Sequence, residues 1–241
     1  MKTTKSQQEQ SRRAVIRAAA DLITEQGYEA TTMKQIARAA AIGDATIYKY
    51  FPSKEKLLIG YYELLINDVL ASTASIAELD QYTLHERLQL LVDGVLESML
   101  ADREFVEITK TIVGKSPLLM MREAMPGQQV LKQQVATLLD EAEHRGDIAP
   151  CNFKQMIAGF FADYLFAVVI YWLKDESEEF SDTTQLVELT LAVFVLMLKS
   201  GLIDKLTELG GFLVRSQMTR LMHNGSGLLD MLKVARRGLG G

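Results

Sequence analysis

The chain has 241 residues, 48% of them hydrophobic, with four prolines and no low-complexity tract, which is long enough for one small and one larger helical unit and points to a soluble globular protein. A net charge of −5 excludes a uniformly basic nucleic-acid binder, and a single cysteine excludes a disulfide framework within the chain. No basic-then-apolar leader precedes an A-x-A site, so a cytoplasmic location is expected. By region the charge is uneven: residues 1–56 hold ten Lys/Arg against six Asp/Glu, or +4, while residues 57–241 hold sixteen against twenty-five, or −9. Positive charge at one end suits phosphate binding there, and an acidic remainder discourages nonspecific wrapping of DNA. A +4 segment is ordinary by itself, so local motifs must carry the inference.

Met1 to Glu9 are polar, rich in Lys and Gln, and without an apolar face; they are expected to be disordered, either a solvated tail or a basic arm. A first helix is predicted from about Gln10 to Gln26, with Val15, Ile16, Ala19, Leu22 and Ile23 on one face and Gly27 as the left-handed stop.

The next stretch, TTMKQIARAAAIGDATIYKYFPSKEKL, has the punctuation of two short helices and a tight turn. Thr32 and Gln35 form a capping box, so a helix starts at Met33, and Met33, Ile36, Ala37 and Ala40 share its apolar face. Ala41 to Gly43 breaks the period. A second short helix, Asp44 to Tyr50, has the single apolar anchor Ile47 among Thr46, Tyr48, Lys49 and Tyr50, whose hydroxyls and ammonium suit phosphates and base edges. Phe51-Pro52 stops it, and Ser53 caps a further helix that carries Lys54 in its first turn, a place where an ammonium and free amides can hold one phosphate.

With Thr32, Ile36-Ala37, Thr46-Ile47-Tyr48, Tyr50-Phe51 and Ser53-Lys54 at this spacing, residues 11 to 60 or so resemble the TetR family of transcriptional regulators. The family's usual turn glycine is here Ala41, its usual capping serine is Gly43, and Ala45 stands before the threonine. Ala41 is expected to be left-handed, at a cost of roughly 1 kcal/mol, and Gly43 can cap without a side-chain acceptor. The resemblance implies an all-α fold: an N-terminal helix-turn-helix domain (1–52) continuous with a larger helical effector-binding and dimerisation domain (53–241). Its implied DNA contacts, together with helical phase, are Thr32, Lys34, Asp44, Ala45, Thr46, Tyr48, Lys49, Tyr50 and Lys54.

The fourth helix is predicted from Ser53 to about Leu79, joining the two domains without a linker. Thr83 can cap a fifth helix to about Ala101 and Asp102 a sixth to about Val113. Gly114 to Gly127, with Pro117 and Pro126, reads as broken helix or loop, and a seventh helix follows from about Gln128 to Arg145. Asn152 and Gln155 fit a capping box opening an eighth helix through about Leu173. That helix, and a ninth from about Thr183 to Ser200, are apolar nearly all round apart from Asp163 and Glu188. The run from Ile157 to Leu173 falls short of the ~20 uninterrupted apolar residues a membrane span needs. A second subunit is the expected cover, in line with the four-helix dimer interface of the resembled family, and no membrane is expected. After Gly201, Leu202 to Leu209, Phe212 to Met222 and Leu228 to Arg237 read as short amphipathic helices outside the family pattern.

Other chemistry leaves little trace. His85, His144 and His223 lie at no ligand spacing, so no metal or cofactor is expected. Cys151 before a helix N-terminus is either a stabilised, redox-active thiolate or, as is usual for such a cysteine, inert, and no phosphate loop, nucleophile elbow or carboxylate pair marks an enzyme. Tyr61, Tyr62, Met99, Phe105, Met120, Met121, Phe160, Phe161, Asp163, Tyr164 and Trp172 are ingredients for an effector cavity; read singly, most are ordinary core residues. The leading reading is a dimeric repressor on a palindromic operator of double-stranded DNA, released by a small apolar or amphipathic ligand. The alternative is a helical lipid-binding relative that does not act through DNA, although Lys34, Tyr48 and Lys54, which such a relative would be expected to lose, are present.

Overall fold

The structure, a computed structural model, describes residues 5–113 and 126–216. In chain order its helices are α1 (Lys5–Gln26), α2 (Met33–Ala39), α3 (Asp44–Tyr50), α4 (Lys54–Ala74), α5 (Leu84–Leu100), α6 (Arg103–Val113), α7 (Pro126–His144), α8 (Lys154–Trp172), α9 (Ser181–Lys199) and α10 (202–216). Among the described residues there is no strand, so all cohesion comes from helix faces.

The first three helices close on a small set of fully buried side chains. Val15, Ala19 and Ile23 of α1 meet Ile36 and Ala37 of α2, Ile47 of α3 and Leu57 and Leu58 of α4. Gly60 lets α4 approach: a Cβ there would lie 2.4 Å from the ring of buried Phe51, so the ring can lie flat on the helix backbone. The same core runs on through α4 into Leu88, Val92, Val95, Val135, Leu139, Ile157, Phe161 and Leu191 without a break. α7 lies along both α4 and α8, brought close by Gly127, whose Cβ would sit 3.0 Å from the Glu63 Cα.

Local punctuation behaves largely as the sequence predicts. Capping boxes start α2 at Thr32 and α5 at Thr83, Ser53 caps α4, Ala41 is left-handed at φ 54°, and Gly43 caps α3 by backbone alone. Five expectations are corrected. α1 already begins at Lys5, so the segment up to Glu9 is not wholly an unstructured arm. α4 stops at Ala74: Ser75 closes it, its hydroxyl donating to the Ser72 carbonyl at 2.7 Å, and Glu78 then turns left-handed (φ 56°) into a 3-10 turn at Leu79–Gln81. Asn152 does not cap α8: its amide and side chain donate to Asp204 at 3.3 and 3.1 Å, and the helix starts from Phe153 without a side-chain cap. α10 runs straight through Gly210-Gly211 where a break is expected. Cys151 is half-buried and its thiol is pushed up, chiefly by burial, so it is not a stabilised thiolate.

The α8–α9 corner is tied by two charged residues. The Arg103 guanidinium donates to the carbonyls of Trp172, Leu173 and Asp175 at 3.0, 3.0 and 3.1 Å, closing the end of α8, and stacks over Trp172 and Phe180 at 5.3 and 5.0 Å. Asp175 accepts from the amides of Ser177 and Thr183 at 2.9 and 2.8 Å and from both hydroxyls, closing the start of α9. These bonds hold its carboxyl well below the usual range, the Ser177 hydroxyl and then the Thr183 hydroxyl contributing most.

Candidate nucleic-acid interface and effector region

α2 and α3 present their outer faces side by side. Thr32, Lys34, Asp44, Ala45, Tyr48 and Lys49 are exposed, Tyr48 by 54%, while Thr46, Tyr50 and Lys54 are half-buried. None of the nine expected contact residues is sunk in the core. Their tasks differ, however. Thr32 is occupied by the capping box, its hydroxyl accepting from the Gln35 amide at 3.2 Å and its own amide donating to the Gln35 side chain at 2.8 Å. Lys34 faces Asp44 across the turn at 3.8 Å, a pair so exposed that it adds little stability. Tyr50 turns partly inward onto the core.

Lys54 has a second role that local sequence does not signal. Its ammonium donates to the Tyr28 carbonyl at 2.6 Å and lies 4.2 Å from the Tyr28 ring centre. It thus ties the α1–α2 loop to the start of α4, with the remaining donors of an ammonium available for an anion. Buried Thr31 completes that loop, donating to the Gly27 carbonyl at 2.8 Å at the end of α1.

The positive charge counted in the first 56 residues does not all face one way. Arg12 pairs with Glu63 at 2.7 Å, Arg13 with Asp68 at 2.6 Å, and Arg17 with Asp102 at 2.7 Å. Three of the ten cations therefore bind carboxylates of α4 and of the α5–α6 turn. Asp102 also accepts from the Tyr61 hydroxyl at 3.0 Å, so α1, α4 and the start of α6 meet at one carboxylate.

The expected effector residues separate into three groups. Tyr61, Tyr62 and Phe105 stack on one another, with ring centres 5.1 Å (Tyr61–Tyr62) and 4.7 Å (Tyr61–Phe105) apart, and Met99 is buried in the same core. Tyr62 bonds Thr109 at 3.1 Å, and burial pushes its phenol up to about 12. Phe161 and Tyr164 pack together farther along, at 5.9 Å, with Tyr164 bonded to Thr190 of α9 at 2.7 Å and Asp163 half-buried beside them in sequence. Trp172 belongs to the Arg103 corner, and Phe160 is 58% exposed. Met120 and Met121 lie outside the described residues. Among the described residues no group of three His, Cys, Asp or Glu is placed to hold a metal ion.

Residues 15–61 match the family profile of bacterial regulatory proteins of the tetR family, and residues 87–213 match that of the tetracyclin repressor-like C-terminal domain. The chain belongs to the TetR family. Within it, the HTH-type transcriptional repressor KstR of Rhodococcus jostii is 24% identical over 190 residues, covering 78% of this chain and 84% of that protein. The fatty acid metabolism regulator protein of Bacillus subtilis is 27% identical over 104 residues, 43% of this chain and 53% of its own. Among solved structures, Salmonella enterica GusR superposes with a TM-score of 0.61 at 20% identity, over 83% of this chain and all (100%) of that one. The Bacillus subtilis regulator FadR in complex with stearoyl-CoA superposes with a TM-score of 0.57 at 20% identity, over 74% and 97%. As a TetR-family chain the protein is a DNA-binding transcriptional regulator, and its helix-turn-helix is the part the first profile spans.

Proposed function

We propose that the protein is a homodimeric repressor whose two helix-turn-helix units, residues 1–52 of each chain, read a palindromic operator and let go when an apolar or amphipathic ligand enters the larger unit, residues 53–241. The observation that carries this reading is the path of α4: it begins at Lys54 on the DNA-reading face and reaches the Tyr61–Tyr62–Phe105 cluster about two turns on. A ligand that displaces those rings moves the helix that positions α3. Lys34, Tyr48, Lys49 and Lys54 are assigned to phosphates, Asp44, Ala45, Thr46 and Tyr50 to the edge of the major groove, and Thr32 to fixing the α2 N-terminus against the backbone. The acyl-CoA complex of a relative supports an amphipathic effector with a long hydrocarbon part.

The dimer rests on α8 and α9. Phe160 and Phe166 of α8 and Leu189 and Val193 of α9 are 52–58% exposed, large apolar side chains on two neighbouring helices that a partner surface would cover. By length and composition both helices would suffice to cross a membrane, yet 44% and 28% of their most apolar stretches are buried within the chain, and the same faces of a second copy cover the remainder.

The test is selection of bound duplexes from a random-sequence library, followed by titration of the selected duplex with stearoyl-CoA as probe. The expected result is an inverted repeat whose affinity falls as stearoyl-CoA saturates the protein. A probe that prefers the released form by about 100-fold supplies roughly 2.7 kcal/mol per subunit. Stearoyl-CoA that raises the melting temperature but leaves DNA affinity unchanged at saturation would refute acyl-CoA release, and recovery of no common sequence would refute operator reading.

A further inference from the structure

Between Glu29 and Glu55 the chain carries four cations, Lys34, Arg38, Lys49 and Lys54, and a single acid, Asp44. Asp44 is the first residue of α3, and its side chain is 58% exposed. An anion on a face that meets phosphates opposes binding by like-charge repulsion. Asp44 therefore weakens the grip on every duplex in which no base edge satisfies it.

Local geometry brings this carboxylate forward. In a helix-turn-helix the N-terminal residues of the second helix contact base edges. Asp44 stands there between Gly43 and Ala45, both exposed, so no adjacent side chain longer than a methyl group holds the backbone off the groove. A side chain as short as aspartate needs that close approach. Across the turn the Lys34 ammonium lies 3.8 Å from Asp44 Oδ2, beyond hydrogen-bond length. The lysine thus offsets part of the negative charge without taking up an acceptor site.

The chemistry of the base edges then selects among the four bases. An ionised carboxylate accepts hydrogen bonds and donates none. In the major groove guanine offers the acceptors N7 and O6, thymine offers O4, and adenine offers N7 beside its N6 amino group. Cytosine is the base that presents a donor, its N4 amino group, with no acceptor of its own alongside. An acceptor-only side chain matches that donor-only edge, whereas each of the other three bases sets an acceptor against the carboxylate.

We infer that Asp44 is a specificity residue that selects cytosine at one position of each half-site, its carboxylate accepting from the N4 amino group. The inference rests on the operator reading proposed above and adds a base identity to it. The charge pair divides the work: Lys34 holds a phosphate and fixes register, and Asp44 reads the base beside it.

The experiment repeats the random-library selection with full-length parent, Asp44→Ala and Asp44→Asn, and titrates each protein with the parent's selected duplex and with a random duplex. The parent is expected to return cytosine at one symmetry-related position of both half-sites, and Asp44→Ala to lose the preference at that position alone. Asp44→Asn is expected to exchange cytosine for adenine there, because an amide donates to N7 while it accepts from N6. On the parent duplex both variants should bind about tenfold or more weakly, as for a mismatched base pair. On random duplexes they should bind at least as tightly as the parent, since an anion has gone from the face. An acid in the first turn also suits the helix dipole, and a variant that only lost helix stability would bind both duplexes more weakly; that result overturns the assignment. So does a selected sequence unchanged in both variants, or a changed position that held another base in the parent, either of which leaves operator reading intact. A parent that selects no common sequence overturns both readings.

Discussion

At Ala41 the backbone between α2 and α3 takes φ 54°, where a Cβ crowds the following carbonyl. Ala41→Gly is therefore expected to raise stability by about 0.5–1 kcal/mol, read as a higher urea midpoint at unchanged slope, with DNA affinity intact. Lys54 combines a structural and a binding task, and the two separate experimentally. Lys54→Ala should lose about 1 kcal/mol of stability with the Tyr28 bond. It should also weaken selected and random duplexes about equally and lower the salt slope by about 1, since a phosphate contact carries no sequence information. A loss confined to the selected sequence would contradict the phosphate role.

Among the elements, the α8–α9 corner depends on the ionised form of Asp175. Its folded carboxyl titrates below the ordinary range, so its contribution is present in full above the unfolded value of about 3.9 and disappears as pH falls toward the folded value. Asp175→Asn should melt below the parent at pH 6, and the gap should narrow progressively on acidification below about pH 4; a gap independent of pH would remove the carboxylate from the argument. How much of such detail the sequence discloses follows from range. Thr32 with Gln35, Thr83 with Glu86, left-handed Ala41 and Gly27 are visible because cap and turn chemistry is decided within four residues. Asn152 with Gln155 has the same spacing, but Asp204, 52 positions on, takes the asparagine. The Lys54–Tyr28, Arg17–Asp102 and Arg103–Trp172 contacts likewise join residues 26 to 85 positions apart, and no local pattern announces them. The aromatic set was legible as residues suited to a cavity but not as three separate groups, because which rings meet depends on helix packing.

For the whole molecule, the exposed apolar side chains on α8 and α9 set the expectation. Sedimentation at micromolar concentration should give a dimer, and Leu189→Glu with Val193→Glu should give a folded monomer that binds a palindromic duplex far more weakly. The recognition helices of the dimer need centres about 34–36 Å apart, or a multiple, to enter successive major grooves. A monomer in the parent protein would leave those faces unexplained and end the two-fold reading.

The ion pairs from α1 to Glu63, Asp68 and Asp102 make salt act on the protein twice. The arginines of Arg13–Asp68 and Arg17–Asp102 are 46% and 57% solvent-exposed, so added electrolyte screens these pairs while it also displaces the protein from phosphates. Ionic strength then behaves as a silent effector: it loosens the grip of α4 and the α5–α6 turn on the reading head at the same time as it competes for DNA. A plot of log affinity against log salt should bend where a simple counterion count would be straight, and replacing Arg17 with Gln should straighten it.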